Sequence, residues 1–180
     1  MKKNYTKKVV SLLAVVSLVA CGGGDGGGSG VDTSPLKLQI DTTCGINNFQ
    51  AEMLAMVNAM RSSGAVCGGI SYPSVGALGW NEKLKDAATL SSYDNAKTGK
   101  KSHVGTDGSN VASRASAVGY SGGVGENIYW GYNSVASSMS WWMNSAAHCS
   151  NIMRADYYAL GASCVQGNDG YSHFTQVFGN

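Results

Sequence analysis

Between residues 49 and 60 the apolar positions recur at helical spacing: Phe49, Met53, Met56, Val57 and Met60 draw one stripe along a helix. A second helix is predicted from Asn81, which can cap it, through Leu84, Ala87, Ala88 and Tyr93. After the Asp107-Gly108 turn, Ser109 or Asn110 can open a short helix over residues 111–118 that Gly119 is placed to end. Ser134 opens a fourth, whose Val135, Met139, Trp142 and Met143 share a face. Strand patterns cover residues 127–132, 158–165 and 171–178, the last two joined by the turn Gln166-Gly167-Asn168-Asp169-Gly170. Helices first and an antiparallel hairpin last imply an α+β fold, a sheet covered by helices, and not a parallel βαβ array. No internal repeat interrupts this order.

The first forty residues read differently. Lys2, Lys3, Lys7 and Lys8 precede an apolar run over residues 9–20, too short to cross a bilayer and arranged as an export leader. Of the 180 residues, the expected domain organisation is a signal peptide at 1–20, a tether at 21–43 and one folded domain at 44–180. Seven glycines in the nine residues after Cys21 cannot repay their ordering entropy, which makes that stretch a flexible spacer. The formal charge of +2 belongs largely to the leader: without residues 1–20, nine basic side chains face eleven acidic ones. With no dense basic patch left, a nucleic-acid-binding role is excluded.

Cys44, Cys67, Cys149 and Cys164 form an even set in a chain expected to be exported, so disulfides are expected. Three pairings are formally open, and the shortest loops favour Cys44 with Cys67 and Cys149 with Cys164. A four-cysteine zinc site would need paired Cys-x-x-Cys spacing, which is absent.

Candidate chemistry narrows to His103, His148, His173 and Glu126, the last flanked by Gly125 in Gly-Val-Gly-Glu-Asn-Ile. Three neutral imidazoles can ligate Zn²⁺ with water in the fourth position and Glu126 as general base. Alternatively Glu126 orients a histidine by hydrogen bonding and shapes a polar groove without catalysis. Taken singly, each residue also has a plainer role. His103 reads as a solvated loop histidine, His148 as a cap on the Trp-bearing helix, and His173 as a core histidine sharing a strand face with Thr175 and Val177. Trp141, Trp142 and Met143 read as core or groove wall. Neither a His-Glu-x-x-His helix nor a Gly-x-Ser-x-Gly elbow is present.

Two resemblances add to this. Leu18-Val19-Ala20-Cys21 resembles the lipobox of bacterial lipoproteins, which implies lipidation at Cys21 and membrane anchoring on a bacterial envelope. Ser102-His103-Val104-Gly105-Thr106-Asp107-Gly108, Gly125-Glu126-Asn127-Ile128, Trp142-Met143-Asn144-Ser145, His148, Asn151-Ile152-Met153 and His173-Phe174-Thr175-Gln176-Val177-Phe178-Gly179 resemble, in order and spacing, the CAP superfamily, also called SCP or PR-1-like. The resemblance spans roughly residues 49–180. It implies a three-layer α-β-α sandwich with a central antiparallel sheet and a groove that in eukaryotic members holds two histidines and two glutamates. By position His103, Glu126 and His173 match three of those four. Ser145 stands where the second glutamate would be, and His148 matches a histidine that many bacterial members carry. The implied function is an envelope-anchored module whose groove binds a small molecule, lipid, glycan or envelope protein without catalysis. The alternative is a hydrolase with metal-activated water at His103, His148 and His173; no cofactor is implied with certainty, and zinc is the candidate.

The leader makes one direct prediction. Replacing Cys21 with Ser should move the protein out of the membrane fraction in a cell-fractionation assay, and an unchanged membrane fraction would refute lipidation at that position.

Overall fold

A computed structural model describes residues 40–180; the expected leader, the expected lipidation site Cys21 and most of the expected tether lie outside the described residues. Helix α1 (Phe49–Ser63) buries Phe49, Met53, Val57 and Arg61, one residue per turn, and packs Met56 and Met60 partly against the same core. Gly64, at φ 72°, ends it. Strands β1 (Ala65–Cys67) and β2 (Ile70–Tyr72) form a small antiparallel hairpin, and β3 (Gly79–Trp80) leads into α2 (Glu82–Thr98). The Asn81 side chain accepts from the Leu84 N–H, as an N-cap should. Helix α3 (Val111–Ala117) opens on a reciprocal Asn110/Ser113 capping box and is followed by Gly119 at φ 75°. Then come β4 (Val124–Gly131), α4 (Val135–Met143, capped by Ser134), α5 (Ala146–Ile152), β5 (Ala159–Gln166) and β6 (Ser172–Gly179).

The main sheet has the order β3-β5-β6-β4, with β5, β6 and β4 antiparallel and the two residues of β3 parallel to β5. Helices cover both faces, in the expected α-β-α arrangement. On one side Phe174 and Phe178 of β6 meet Met53, Met139, Trp142 and Ile152 from α1, α4 and α5. On the other, Val177 and Ala159 meet Leu84, Ala87, Ala88 and Ala115 from α2 and α3. Small residues let α2 lie directly on the strands, and a Cβ at Gly161 would overlap the backbone of Leu84 and Lys85. Among the described residues no helix is long and apolar enough to cross a membrane.

All four expected cysteines are disulfide-bonded, but in other pairs: Cys44 with Cys164 and Cys67 with Cys149. Loop economy does not decide the pairing here; chain topology does. Thr43 bridges alongside Cys164, whose N–H donates to the Thr42 carbonyl, so the segment entering α1 is laid against β5. The β1–β2 hairpin rests on α5, with Gly68 against Ala146 where a Cβ would not fit. In the chain-entropy model, loops of 120 and 82 residues restrict the unfolded chain by about 4 to 5 kcal/mol each, against about 3 for the shorter loops. Helix α5 and strands β1 to β3 were not expected from the pattern, because Ala-Ala-His-Cys-Ser-Asn-Ile has no apolar stripe and the strands are two or three residues long.

Arg61 joins the segments below the sheet. It is fully buried, has no carboxylate partner among the described residues, and donates to the carbonyls of Gly76, Ile152, Arg154 and Tyr157 at 2.7 to 3.1 Å. Burial pulls its pKa down, yet a guanidinium stays charged. Arg61→Met would leave these carbonyls without their charged donor. It is expected to cost about 3 kcal/mol or more in urea unfolding; a loss under about 1 kcal/mol would refute the anchoring role.

Candidate functional site

The site forms at the free edge of the sheet, where β4 carries Glu126 outward from the strand opposite Val177. Its carboxylate is 2 % exposed and both oxygens are engaged. Oε1 lies 2.8 Å from His103 Nδ1, and Oε2 accepts from Arg114 Nη2 at 2.7 Å. Helix α3 delivers Arg114 inward, where its guanidinium also donates to the carbonyls of His103 and Ser109 at 3.1 Å. Residues 99–110, which carry His103, have no regular structure and are held from α2. Asn95 exchanges two hydrogen bonds with the Ser102 backbone, and Asp94 accepts from the Thr106 N–H. Beside Arg114 the carboxylate can only accept, so the His103 proton sits on Nδ1. The ring's Nε2 is then left for a partner, on a side chain that is 55 % exposed.

His148 approaches from α5, on the other side of the β4 edge. Its Nδ1 lies 2.8 Å from Ser145 Oγ, and its carbonyl accepts from Asn127 of β4. Asn151 donates to the same Asn127, and the Cys67–Cys149 bridge holds the adjoining turn of the helix. Burial pushes the His148 pKa below the usual imidazole value, and the nearby charge of His103 adds to the effect. The ring is therefore neutral at physiological pH. Trp141 of α4 forms the adjoining wall, its ring centre 4.9 Å from that of His148 and 5.9 Å from those of Tyr129 and Trp130. Its neighbour Trp142 is fully buried and donates to the Ile128 carbonyl.

His173 does not join this groove. It is 2 % exposed on β6, opposite Trp130, with Nε2 at 3.1 and 3.2 Å from the two Asp169 carboxylate oxygens in the hairpin turn. Four residues separate it from Val177, the partner of Glu126, which places it roughly 13 Å along the sheet. The core-histidine reading, on a face with Thr175 and Val177, is the one the strand adopts. His103, Glu126 and His148 are thus brought together, with Arg114 added and His173 removed, and the second imidazole of the groove is His148.

The three-histidine zinc site with Glu126 as base does not fit this arrangement. Among the described residues no three His, Cys, Asp or Glu side chains converge as a metal site, and two imidazoles fall short of the three protein ligands of a catalytic zinc. Arg114 was not anticipated. The available signal was a lone arginine among small residues in a capped helix directly before the Gly-Glu-Asn strand.

Comparison with known proteins bears on the fold and the family. Among curated protein sequences none matches the chain. Among solved structures, an outer surface protein from Borrelia burgdorferi superposes with a TM-score of 0.62 at 15 % identity, over 73 % of this chain and 91 % of that one. An extracellular protein containing an SCP domain from Bacillus anthracis gives 0.60 at 21 % identity, over 72 % of this chain and 39 % of its own. NaASP2, solved with Zn²⁺, gives 0.52 at 15 % identity, over 72 % and 78 %. At these identities the likeness is one of fold. The sequence profile of the cysteine-rich secretory protein family, CAP, matches residues 54–178, most of the chain, and the protein belongs to that family.

Proposed function

We propose that this CAP domain is a non-catalytic binding module, held on a cell envelope through Cys21, whose groove between His103–Glu126 and His148 takes a lipid, glycan or protein ligand. The observation that carries the reading is the state of Glu126. A general base needs a carboxylate oxygen open to substrate or water, whereas both oxygens here are spent on His103 and Arg114, and the Glu126 side chain is 2 % exposed. Glu126 orients; it does not offer itself for proton transfer. What faces the ligand is the free Nε2 of His103, an acceptor while the ring is neutral and a donor once protonated, beside the neutral imidazole of His148 and the indole of Trp141. A hydrolase with water activated at His103, His148 and His173 would need His173 to converge with the other two imidazoles, whereas it lies on β6 opposite Trp130, four residues along the strand from the partner of Glu126.

The direct test is a histidine-labelled NMR titration with a fatty acid, neutral trisaccharides and extended peptides. One class should move the His103 and His148 ring signals and leave His173 in place, and His103→Ala should weaken that ligand at least tenfold while the fold is retained. Binding that moves neither ring, or that survives His103→Ala and His148→Ala unchanged, would sink the groove reading.

The electrostatics make a separate prediction. Because the folded-state pKa of His148 is depressed, the unfolded chain binds the proton first as pH falls. Its contribution to stability is complete above the ordinary imidazole pKa of about 6.5 and is lost as pH drops below it, down to the lower folded-state value. His148→Gln should flatten that part of a urea-unfolding series against pH; an unaltered slope would contradict the assigned burial.

A further inference from the structure

Beyond the His/Glu groove, α4 and the end of β4 enclose an open trough of about 490 Å³, lined by Tyr129, Tyr132, Ser137, Ser140, Trp141 and Asn144. Two features of its lining are not explained by folding. First, Tyr132 is 83 % exposed and Trp141 41 %. The helix already has its core tryptophan in the fully buried Trp142, so the exposed indole adds little to the core. Second, the trough is rich in unspent polar groups. Among the described residues the hydroxyls of Tyr132, Ser137 and Ser140 and the indole N–H of Trp141 have no hydrogen-bond partner in the protein, and Asn144 commits its NH₂ to the Ser140 carbonyl but leaves its oxygen free. No charged side chain lines it. Lys101 lies over the rings of Trp130 and Tyr171, which are not among the lining residues.

We propose that this trough is a binding site for a short neutral oligosaccharide. A pyranose ring has an apolar C–H face bordered by uncharged hydroxyls, and the trough supplies the complement of both. Aromatic faces accept the C–H surface, and the serine, tyrosine and amide groups exchange hydrogen bonds with the rim. A volume of about 490 Å³ lies within the usual small-ligand range of about 300 to 1,000 Å³. An acyl chain would bury these hydroxyls without partners, at a cost for each, and an anionic ligand would find no cation among the lining groups. A protein hot spot seats its anchor in a well-packed, fully desolvated pocket, whereas this trough is wide and open to solvent. Trp141 is shared with the groove through its contact with His148, whereas Tyr132, Ser137, Ser140 and Asn144 belong to the trough.

The test is titration of the full-length protein with maltotriose, cellotriose, chitotriose and mannotriose, followed by tryptophan fluorescence and by the indole N–H signals, with an array of neutral and anionic glycans for breadth. At least one neutral glycan is expected to shift the Trp141 signal. Tyr132→Ala, at a solvent-exposed ring whose loss leaves the core intact, should weaken it at least tenfold, Trp141→Ala should do the same, and His103→Ala should change it less than twofold. The proposal is overturned if no neutral glycan of the array moves Trp141, if anionic glycans alone do, or if binding is undiminished in Tyr132→Ala and Trp141→Ala. Loss of binding in His103→Ala with retention in Tyr132→Ala would also overturn it, since the sugar would then sit in the groove and support the groove reading instead.

Discussion

The contact between Arg114 and Glu126 is the constraint on which the groove depends. Both side chains are almost completely buried, and the 2.7 Å contact replaces much of what each lost on leaving water, although the Arg114 Nε–H has no partner among the described residues. The pair ties together three pieces that have little to hold them separately: a seven-residue helix too short to be stable alone, an edge strand with one side unpaired, and an irregular loop carrying His103. Because the guanidinium also takes the carbonyls of His103 and Ser109, it sets the path of that loop as well as the position of the carboxylate. An imidazole that is more than half exposed on a loop would ordinarily sample several rotamers. Here its Nδ1 is fixed from behind, and that order passes to the one nitrogen facing solvent.

The sheet gives the two halves of the groove different kinds of support. Toward α2 and α3 its residues are small or polar, with Gly161, Ser163 and Val177 allowing helix and strand backbones to approach closely. Toward α1, α4 and α5 it is thick and aromatic, and the buried Gln176 there accepts from Asn127 and reaches toward the sulfurs of Met53 and Met139. His103 and Glu126 stand on the first side and His148 on the second, so the edge of β4 is where two separately packed layers present side chains to a common space. Asn127, bonded to the His148 carbonyl and to Asn151, joins the layers at that edge.

Much of this was legible in the chain before any coordinates. The caps Asn81, Asn110 and Ser134 stand at the starts of the helices they were expected to open, and the three long strands lie within a few residues of their alternating patterns. Local chemistry decides those features, so local sequence reports them. Helix α5 was not legible because its residues are small and polar, and it is held by a disulfide and by Asn127, both remote in sequence. The groove was half legible. His103, Glu126 and His148 could be nominated by type and motif, but motif order did not tell which second histidine shares a space with Glu126. The alternation along β6 already put His173 on the face of Thr175 and Val177, and its partner Asp169 stands four residues earlier in the turn. Arg114 left only a weak trace, since a buried ion pair is defined by its partner and not by its own neighbourhood.

The nested disulfides carry a consequence for how the chain is made. Cys44 and Cys67 leave the ribosome well before either native partner, which follow 120 and 82 residues later. If oxidation keeps pace with synthesis, the first bond available is the one between the two early thiols, which the finished protein does not contain. Either both wait as thiols until β5 has been made, or the wrong bond forms and must be exchanged by attack of a later thiolate. The strand that receives Cys164 and the helix that carries Cys149 are both built from the last third of the chain. Correct cross-linking is therefore a late event, and a chain truncated before that point would hold thiols with no native partner to find.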